Sequence, residues 1–531
     1  MALTPFLQEL LIISSLTIMS LLFYVCITYW RSKNRLVPMD WPIVGVLPSF
    51  AANLHSLHDF LTAVLASSGQ SFAANGPAAT GMRFFITCDA ANVRHIFSSN
   101  HGNYPKGSEL GEIFDVVAGS IFTVDGEPAL RQRAKFKSIL ASPRMVAGMA
   151  SCCIGKVRGG LLPLARMATA GTPFDMQGLI ARFVFDVTAM PVFGVDPGLL
   201  RPDGMPDTHV AAAMDTVMEV AVFRHILPVS CWKAMRRLSI GLERNLTAAH
   251  TVLHGFIAEM LEARKAKETH GGDAGEQQDD QAAAPDMFSS LINDPDYNNA
   301  DLLRAALINY MIAGRDTIGT TLPWFFYNVA VNPHVVSSIR EELAPIVASG
   351  KASPANGDDT TATFSAEDTK PLVYLQAALL ESLRLYPPGP IERKTVLTSD
   401  TMPSGDEVRA GDTVLISLYS MGRMESLWGK DCREYRPERW LSGGGRKKQL
   451  RYVPSHKFLA FNSGPRICLG RDIAVVQMKT VAAAVVWNFD VEVLQGQVVQ
   501  PKVSCLLQMK NGLMVKVKKR QHNLIICGSV C

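Results

Sequence analysis

The chain is short of cysteine, and neither sign of charge is in excess. Ten cysteines in 531 residues are too few for a disulfide-stapled scaffold. No Cys-x-x-Cys pair occurs, so a structural zinc knuckle finds no support. Lys and Arg number 52 against 48 Asp and Glu, which leaves no basic stripe of the kind nucleic acid requires. There is no Gly-x-Gly-x-x-Gly run, so no dinucleotide-binding or flavin unit is built in. Long apolar runs are missing too, with one exception, which excludes a polytopic membrane protein. With 48% hydrophobic residues and both charge signs present, the chain is not a mostly disordered one.

The exception is Leu10–Tyr29, an uncharged run of about twenty residues. At ~1.5 Å per residue it covers about 30 Å, one hydrocarbon thickness. No basic segment precedes it, and no small-x-small cleavage site follows, which favours an uncleaved anchor over a signal peptide. Trp30, Arg31, Lys33 and Arg35 come next. The positive-inside bias puts them, and all that follows, in the cytosol. Pro38, Pro42 and Pro48 stiffen the stretch beyond. The expected organisation is a lumenal 1–9, a transmembrane anchor 10–30, and a basic, proline-rich neck 31–50. A single domain over 51–531 follows, with solvated surface insertions near 265–286 and 349–368.

The body reads as mainly α with a small β portion. Leu302–Ala330 reads as one long helix, capped by Asn299 or Asp301 and stopped by Asn332-Pro333. It is apolar nearly all round and therefore buried, yet Arg315 and Asp316 sit at its centre. Gly314, Gly319 and Pro323 weaken it. Irregularity of that kind in a buried helix points to function. Strand-like segments are Met82–Thr87, Thr413–Ser417 and Leu513–Val517.

The strongest chemical signal is Phe461–Gly470, FNSGPRICLG. Cys468 is a lone thiol between Gly464 and Gly470, with Arg466 two residues earlier and a helical pattern starting just after. A helix amino terminus favours a thiolate, glycines let backbone amides approach it, and arginine supplies charge for an anionic partner. That describes a single-thiolate site under a large cofactor.

This run resembles the haem-binding loop F-x-x-G-x-R-x-C-x-G of the cytochrome P450 superfamily, with Phe461, Gly464, Arg466, Cys468 and Gly470 at its fixed positions. The resemblance implies the cytochrome P450 fold and haem b. It implies that Cys468 is the axial iron ligand, that Phe461 packs by the sulfur, and that Arg466 holds a propionate. Three further motifs follow the family's order. Ala313-Gly314-Arg315-Asp316-Thr317 looks like its oxygen-activation motif, with Thr317 and Asp316 catalytic and the glycine making room for dioxygen. Glu381-Ser382-Leu383-Arg384 and Pro437-Glu438-Arg439-Trp440 imply a buried structural network of Glu381, Arg384 and Arg439. One position departs from the family. Arg133 fits the arginine of its W-x-x-x-R, but Ala129 stands where tryptophan is usual, leaving Arg131 to compensate. For the other propionate Arg393 and Lys394 both qualify, with Arg393 preferred.

Several segments look like the plant branch that oxidises fatty acids and alkanes, among them Asp40-Trp41-Pro42 and Tyr419–Trp440. Relatives in that branch also couple phenols of alkaloid precursors. The resemblance implies a hydrophobic substrate, touched by Phe122, Ala313 and Leu506, and by residues of the apolar stretch 211–228. It further implies an endoplasmic reticulum membrane location and electrons from a separate NADPH-dependent cytochrome reductase, with cytochrome b5 as a second donor. Arg433, Arg436, Arg446, Lys447 and Lys448 are either a docking face for the reductase or a solvated surface. A reading of another class, a non-catalytic haem-thiolate sensor, would not need Asp316 and Thr317. An isomerase working without external electrons would be expected to alter that motif, and here it is intact.

Overall fold

The protein is described by a computed structural model over residues 13–520, except 18, 21–22, 25–26, 28–37, 39, 42, 168–170, 202–205, 207–208, 272–285, 351–352, 356–357 and 444–448. Most of the expected anchor, together with Arg31, Lys33, Arg35, Arg446, Lys447 and Lys448, therefore lies outside the described residues. One described helix, Met176–Phe193, is long and apolar enough to cross a membrane. It is a core helix, and Asp186 at its middle is fully buried and paired to Lys156 at 2.7 Å.

Helices dominate, and the described residues form five small sheets, of which two have more than two strands. The first sheet comprises β1 (Ser71–Asn75), β2 (Arg83–Thr87), β4 (Ile391–Thr395) and β5 (Thr413–Ser417) in the order β1-β2-β5-β4. Its central pair is parallel, with Phe84 opposite Thr413. The outer pairs are antiparallel. The second sheet comprises β3 (Phe174–Asp175), β6 (Phe489–Val493) and β7 (Met514–Lys519), with β7 in the middle. The three strands expected from sequence are present within a residue or two. The apolar-polar alternation of β1 and β4 is too weak to announce them, whereas β6, Phe-Asp-Val-Glu-Val, alternates strictly and went unread.

Six helices position the site: α1 (Gly126–Ala141), α2 (Met176–Phe193), α3 (His209–Ile226), α4 (Gly241–Gly271), α5 (Ala300–Met311) and α6 (Thr317–Val331). Asn299 caps α5, its side chain accepting from the amides of Asp301 and Leu302. Asn332 and Pro333 end α6 as expected. The expected helix runs without a gap from Ala300 to Val331, but its α pattern is interrupted. A π-helical turn, Ile312–Asp316, separates α5 from α6, whereas α6 runs unbroken through Gly319 and Pro323. A π-turn takes up one extra residue and turns side chains to new directions. Pro323 is buried inside α6 and removes one backbone donor without ending the helix.

The main core joins α2 and α6 to α7 (Val373–Leu385) and α8 (Arg471–Asn488). Trp324, 1% exposed, stacks flat on Tyr386 at 3.8 Å, and its indole N–H donates to Leu507 O at 2.6 Å. Burying a side chain of that size stabilises the fold by roughly 2–3 kcal/mol. A second core lies under α3, where Met214, Val217 and Met218 meet Phe114, Leu307 and Met311. Buried Arg224 ties α3 to α4, donating to both oxygens of Glu243 at 2.7 and 2.6 Å.

The two expected insertions are only partly solvated loops. Residues 265–271 continue α4. Within 349–368 a hairpin of Ser353–Ala355 and Asp358–Thr363 forms. Thr361 and Thr363 are buried, and Ala362 exchanges hydrogen bonds with the Asn488 side chain.

Candidate active site

The Cys468 loop is held by its own backbone. The Cys468 amide donates to Phe461 O at 2.8 Å, and Ile467 N to Gly464 O at 3.1 Å. Gly464 has φ +59°, and a Cβ there would lie 2.1 Å from Phe97 O, so this position requires glycine. Gly470 caps α8, and nothing lies within 4 Å of where its Cβ would stand. Burial pushes the Cys468 thiol up, while the Gly470 amide, Arg133 and Arg471 act to lower it. Arg133 clamps the loop from α1, Nη2 to Ile467 O at 2.7 Å. Ala129 is 3% exposed, so a tryptophan at this place would have to displace its neighbours.

Four cations converge beside this loop. Arg466 donates to Val124 O at 2.6 Å and Asp125 Oδ1 at 2.7 Å. Asp125 also accepts from the amides of Lys106 and Gly107. Lys106 was not foreseen. It is buried, donates to Phe122 O at 2.7 Å, and lies 4.1 Å over the Phe122 ring. Burial pulls its ammonium down to about 7, and Lys394 and Arg466 press the same way against Glu392 and Asp125. The weak signal for it was Tyr104-Pro105-Lys106-Gly107, where proline and glycine fix the turn that points it inward.

Lys394 and Arg393 sit on β4 and face opposite ways, as strand neighbours must. Lys394 pairs with Glu392 at 3.1 Å over the Phe97 ring, and it adds to the field on Lys106. Arg393 instead pairs with Glu109 and donates to Thr413 Oγ1 at 3.2 Å. The expectation that Arg393 faces the propionates is therefore corrected. The side chain on the Cys468 side is Lys394.

These residues fit haem. Cys468 and the apolar Ile467 and Ala313 are exposed although they belong to interior elements. The donor set is one soft thiolate for iron and a group of cations for carboxylates.

Opposite the loop stands the π-turn. Thr317 Oγ1 donates to Ala313 O at 2.8 Å. Gly314 has a different role from the one expected. A Cβ on it would lie 2.7 Å from Thr188 Cγ2, so its smallness serves close packing on α2. Arg315 and Asp316 are 3% and 1% exposed. Their side chains lie 2.5 Å apart, and Arg315 also reaches Asp215 of α3 at 2.7 Å. Burial pushes the Asp316 carboxyl up to about 6, against the pull of Arg315 and with the help of Asp215.

The structural network is in place. Arg384 is bidentate on Glu381, 2.7 Å for each bond. Arg439 Nε reaches Glu381 Oε1 at 3.3 Å. Sequence reasoning missed Trp440, whose indole donates to Glu381 Oε2 at 2.9 Å, and Asp431, which holds Arg439 at 3.1 Å. It also missed Gly422, where a Cβ would lie 2.0 Å from Arg384 O.

A cavity of about 460 Å³ ends at Ala313 and Thr317. Phe114, Phe122, Met218, Val222, Ile226, Ile312 and Leu506 give it an apolar wall. It extends past β4 toward Val46–Leu61 and Gln500–Ser504. All three expected substrate-contact residues, Phe122, Ala313 and Leu506, line it.

A single cysteine loop opposite a broken, acid-bearing helix, in a mainly helical body, defines a haem-thiolate oxygenase. Residues 38–522 match the profile of the Cytochrome P450 family, and the chain belongs to that family. It is 36% identical over 501 residues to Noroxomaritidine synthase 2 of Narcissus pseudonarcissus, covering 94% of each chain. To Cytochrome P450 86B1 of Arabidopsis thaliana it is 36% identical over 508 residues, covering 95% of this chain and 89% of the relative. To Alkane hydroxylase MAH1 of the same plant it is 34% identical over 507 residues, covering 94% and 97%. The protein is accordingly a cytochrome P450 monooxygenase with a haem-thiolate cofactor.

Proposed function

We propose that this monooxygenase hydroxylates a long-chain aliphatic compound, a fatty acid, alcohol or alkane. The observation that carries the reading is the largely apolar cavity of about 460 Å³ whose lining includes Ala313 and Thr317. Similarity to an alkane hydroxylase supports it.

Haem bound through Cys468 supplies the oxygen-activating iron, and the thiolate's electron push favours O–O cleavage. The chain's residues do the rest. Lys106, Lys394, Arg466 and Arg133 bind and orient the carboxylates of the cofactor. Phe461 and Gly464 shape the loop around the sulfur. Phe122, Ala313 and Leu506 hold the substrate and exclude water. Thr317 Oγ1 keeps its hydrogen on the Ala313 carbonyl, leaving its lone pairs open to the distal side. Asp316, with its carboxyl pushed up to about 6, holds a proton for part of the time near neutral pH and can pass it on. Electrons come from a separate NADPH-dependent reductase, with cytochrome b5 as an auxiliary donor. The run 10–30 anchors the protein in the endoplasmic reticulum membrane with the catalytic domain in the cytosol.

A second reading is oxidative coupling of a phenolic alkaloid precursor. Asn309 and His225 put polar atoms in the cavity wall, and the Narcissus relatives are named for noroxomaritidine formation. The carbon monoxide difference spectrum of the reduced protein tests the thiolate. Turnover of alkane, alcohol, fatty acid and phenolic amine panels with added reductase tests the substrate. The aliphatic reading fails if only the phenolic amines react.

A further inference from the structure

Asn309 stands on α5 four residues before Ala313, and both line the cavity. At ~1.5 Å per residue the two are about 6 Å apart along the helix. Asparagine is a poor helix former, because its amide competes with the backbone for hydrogen bonds. Three asparagines at helix ends give that amide to the helix. Asn53, Asn332 and Asn488 each donate from Nδ2 to the carbonyl four residues earlier, at 2.8, 2.8 and 2.7 Å. Asn309 makes no such bond, and its side chain has no hydrogen-bond partner among the described residues. The residue is half-buried, and neither amide atom is sealed in. One donor and one acceptor are thus left to whatever fills the space.

The charged groups of the same wall are already engaged. Lys106 donates to Phe122 O at 2.7 Å, and Glu392 pairs with Lys394 at 3.1 Å. Arg393 is held by Glu109, and Asp59 accepts from the Tyr419 hydroxyl at 2.9 Å. Lys502 pairs with Glu219 where both are about one-third exposed, 34% and 35%. His58 and His225 are neutral, since burial pulls each down to about 4. His225 keeps Nδ1 against Ala221 O at 2.7 Å, so it offers the cavity an acceptor and no donor. Ser56 and Gln500 neighbour the exposed His55 and the part-exposed Lys502, where water serves them.

We infer that Asn309 determines specificity: its carboxamide holds an uncharged oxygen of the substrate, a hydroxyl or a carbonyl, and so fixes how far from that oxygen the oxidised carbon lies. The inference rests on the reading of this cavity as the substrate site. Either oxygen accepts from Nδ2, and a hydroxyl also donates to Oδ1. An alkane would desolvate the amide and leave it unpaired. An ionised carboxylate would meet only cations that already have partners, and it would lose its own hydration.

The test is spectral titration of the haem-loaded full chain with dodecane, 1-dodecanol, 2-dodecanone and dodecanoate. The alcohol and the ketone should bind about tenfold tighter than the other two, the worth of one hydrogen bond in a dry site. Asn309→Leu should erase that preference and tighten dodecane about twofold or more, a gain that a damaged fold cannot give. The products of 1-dodecanol should spread from one dominant position to several in the same variant. Should Asn309→Leu lose its haem, Asn309→Asp decides instead, because it removes the donor and must abolish the ketone's advantage. The inference is overturned if dodecane binds as tightly as the alcohol and the ketone, which would mean that water already satisfies the amide. It is overturned equally if dodecanoate binds tightest, which would move the polar contact to Lys502, or if Asn309→Leu keeps the preference. If none of the four binds, the proposed function fails and the inference falls with it. Binding of all four without preference defeats the inference alone.

Discussion

Nη1 of Arg315 stands between two carboxylates, 2.7 Å from Asp215 Oδ1 and 2.5 Å from Asp316 Oδ1. Asp215 belongs to the cavity's roof helix and is also bonded by Gln508 at 3.1 Å. The proton affinity of Asp316 is thereby tied to the position of α3. Asp316, raised to about 6 mainly by burial, is raised further by Asp215. Asp215→Asn should move the alkaline limb of the pH profile, where Asp316 loses its proton, to lower pH, and Asp215→Glu should restore it. Product formed per NADPH oxidised, measured across pH 5–8, checks this. The linked stability runs opposite to that of an ordinary carboxylate. It is present below about 3.8 and lost as pH rises through about 6.

Glu381 is fully buried and serves Arg384, Arg439, Trp440 and the Arg436 amide. Removing its charge leaves the buried Arg384 guanidinium without its carboxylate, whereas Arg439 keeps Asp431. Glu381→Gln should cost about 3–5 kcal/mol, seen as a lower urea midpoint and little correctly folded haem protein. Arg439→Ala should cost less, about 1–2 kcal/mol, because its bond to Glu381 is long and Arg384 remains.

Gly314→Ala should destabilise by about 1–3 kcal/mol through overpacking against Thr188. Thr188→Ala removes the atom in the way, so the double mutant should recover about 1 kcal/mol or more. If the glycine served dioxygen instead, the two changes would add without coupling in denaturation experiments.

Lys106→Met and Lys394→Met should each speed haem loss to an acceptor protein by about tenfold, one charge-assisted bond's worth. Arg393→Met should leave that rate unchanged. Ala129→Trp should lower stability rather than tighten haem, because the position is already filled by its surroundings.

The motifs with fixed chemistry were legible in sequence. Glu381, Arg384 and Arg439 are paired as their spacing suggests, and the Cys468 loop runs into a helix capped by Gly470. What failed was direction and partnership. Arg393 and Lys394 differ by one position on a strand, and only the pairing of β4 with β5 says which one faces the cysteine loop. The break at Ile312–Asp316 was invisible because Gly319 and Pro323 looked like the weaker points. Helix propensity speaks of a residue alone, whereas the π-turn depends on Thr188 and Asp215 from other helices. Lys106 went unnoticed for the same reason, since its surroundings come from Glu392, Lys394 and Arg466, far away in sequence.

The parallel pairing of β2 with β5 joins Phe84 to Thr413, and Gly464 closes against Phe97. The amino-terminal walls of the site therefore wait for partners made near the end of translation. Until the cysteine loop leaves the ribosome, β2 has only β1 beside it and Phe97 lacks the Gly464 turn, and the nascent chain offers no socket for haem. Long-range closure of this kind makes folding slow and exposes the chain to aggregation. Supply of the cofactor late in synthesis, rather than early, should therefore decide the yield of intact protein.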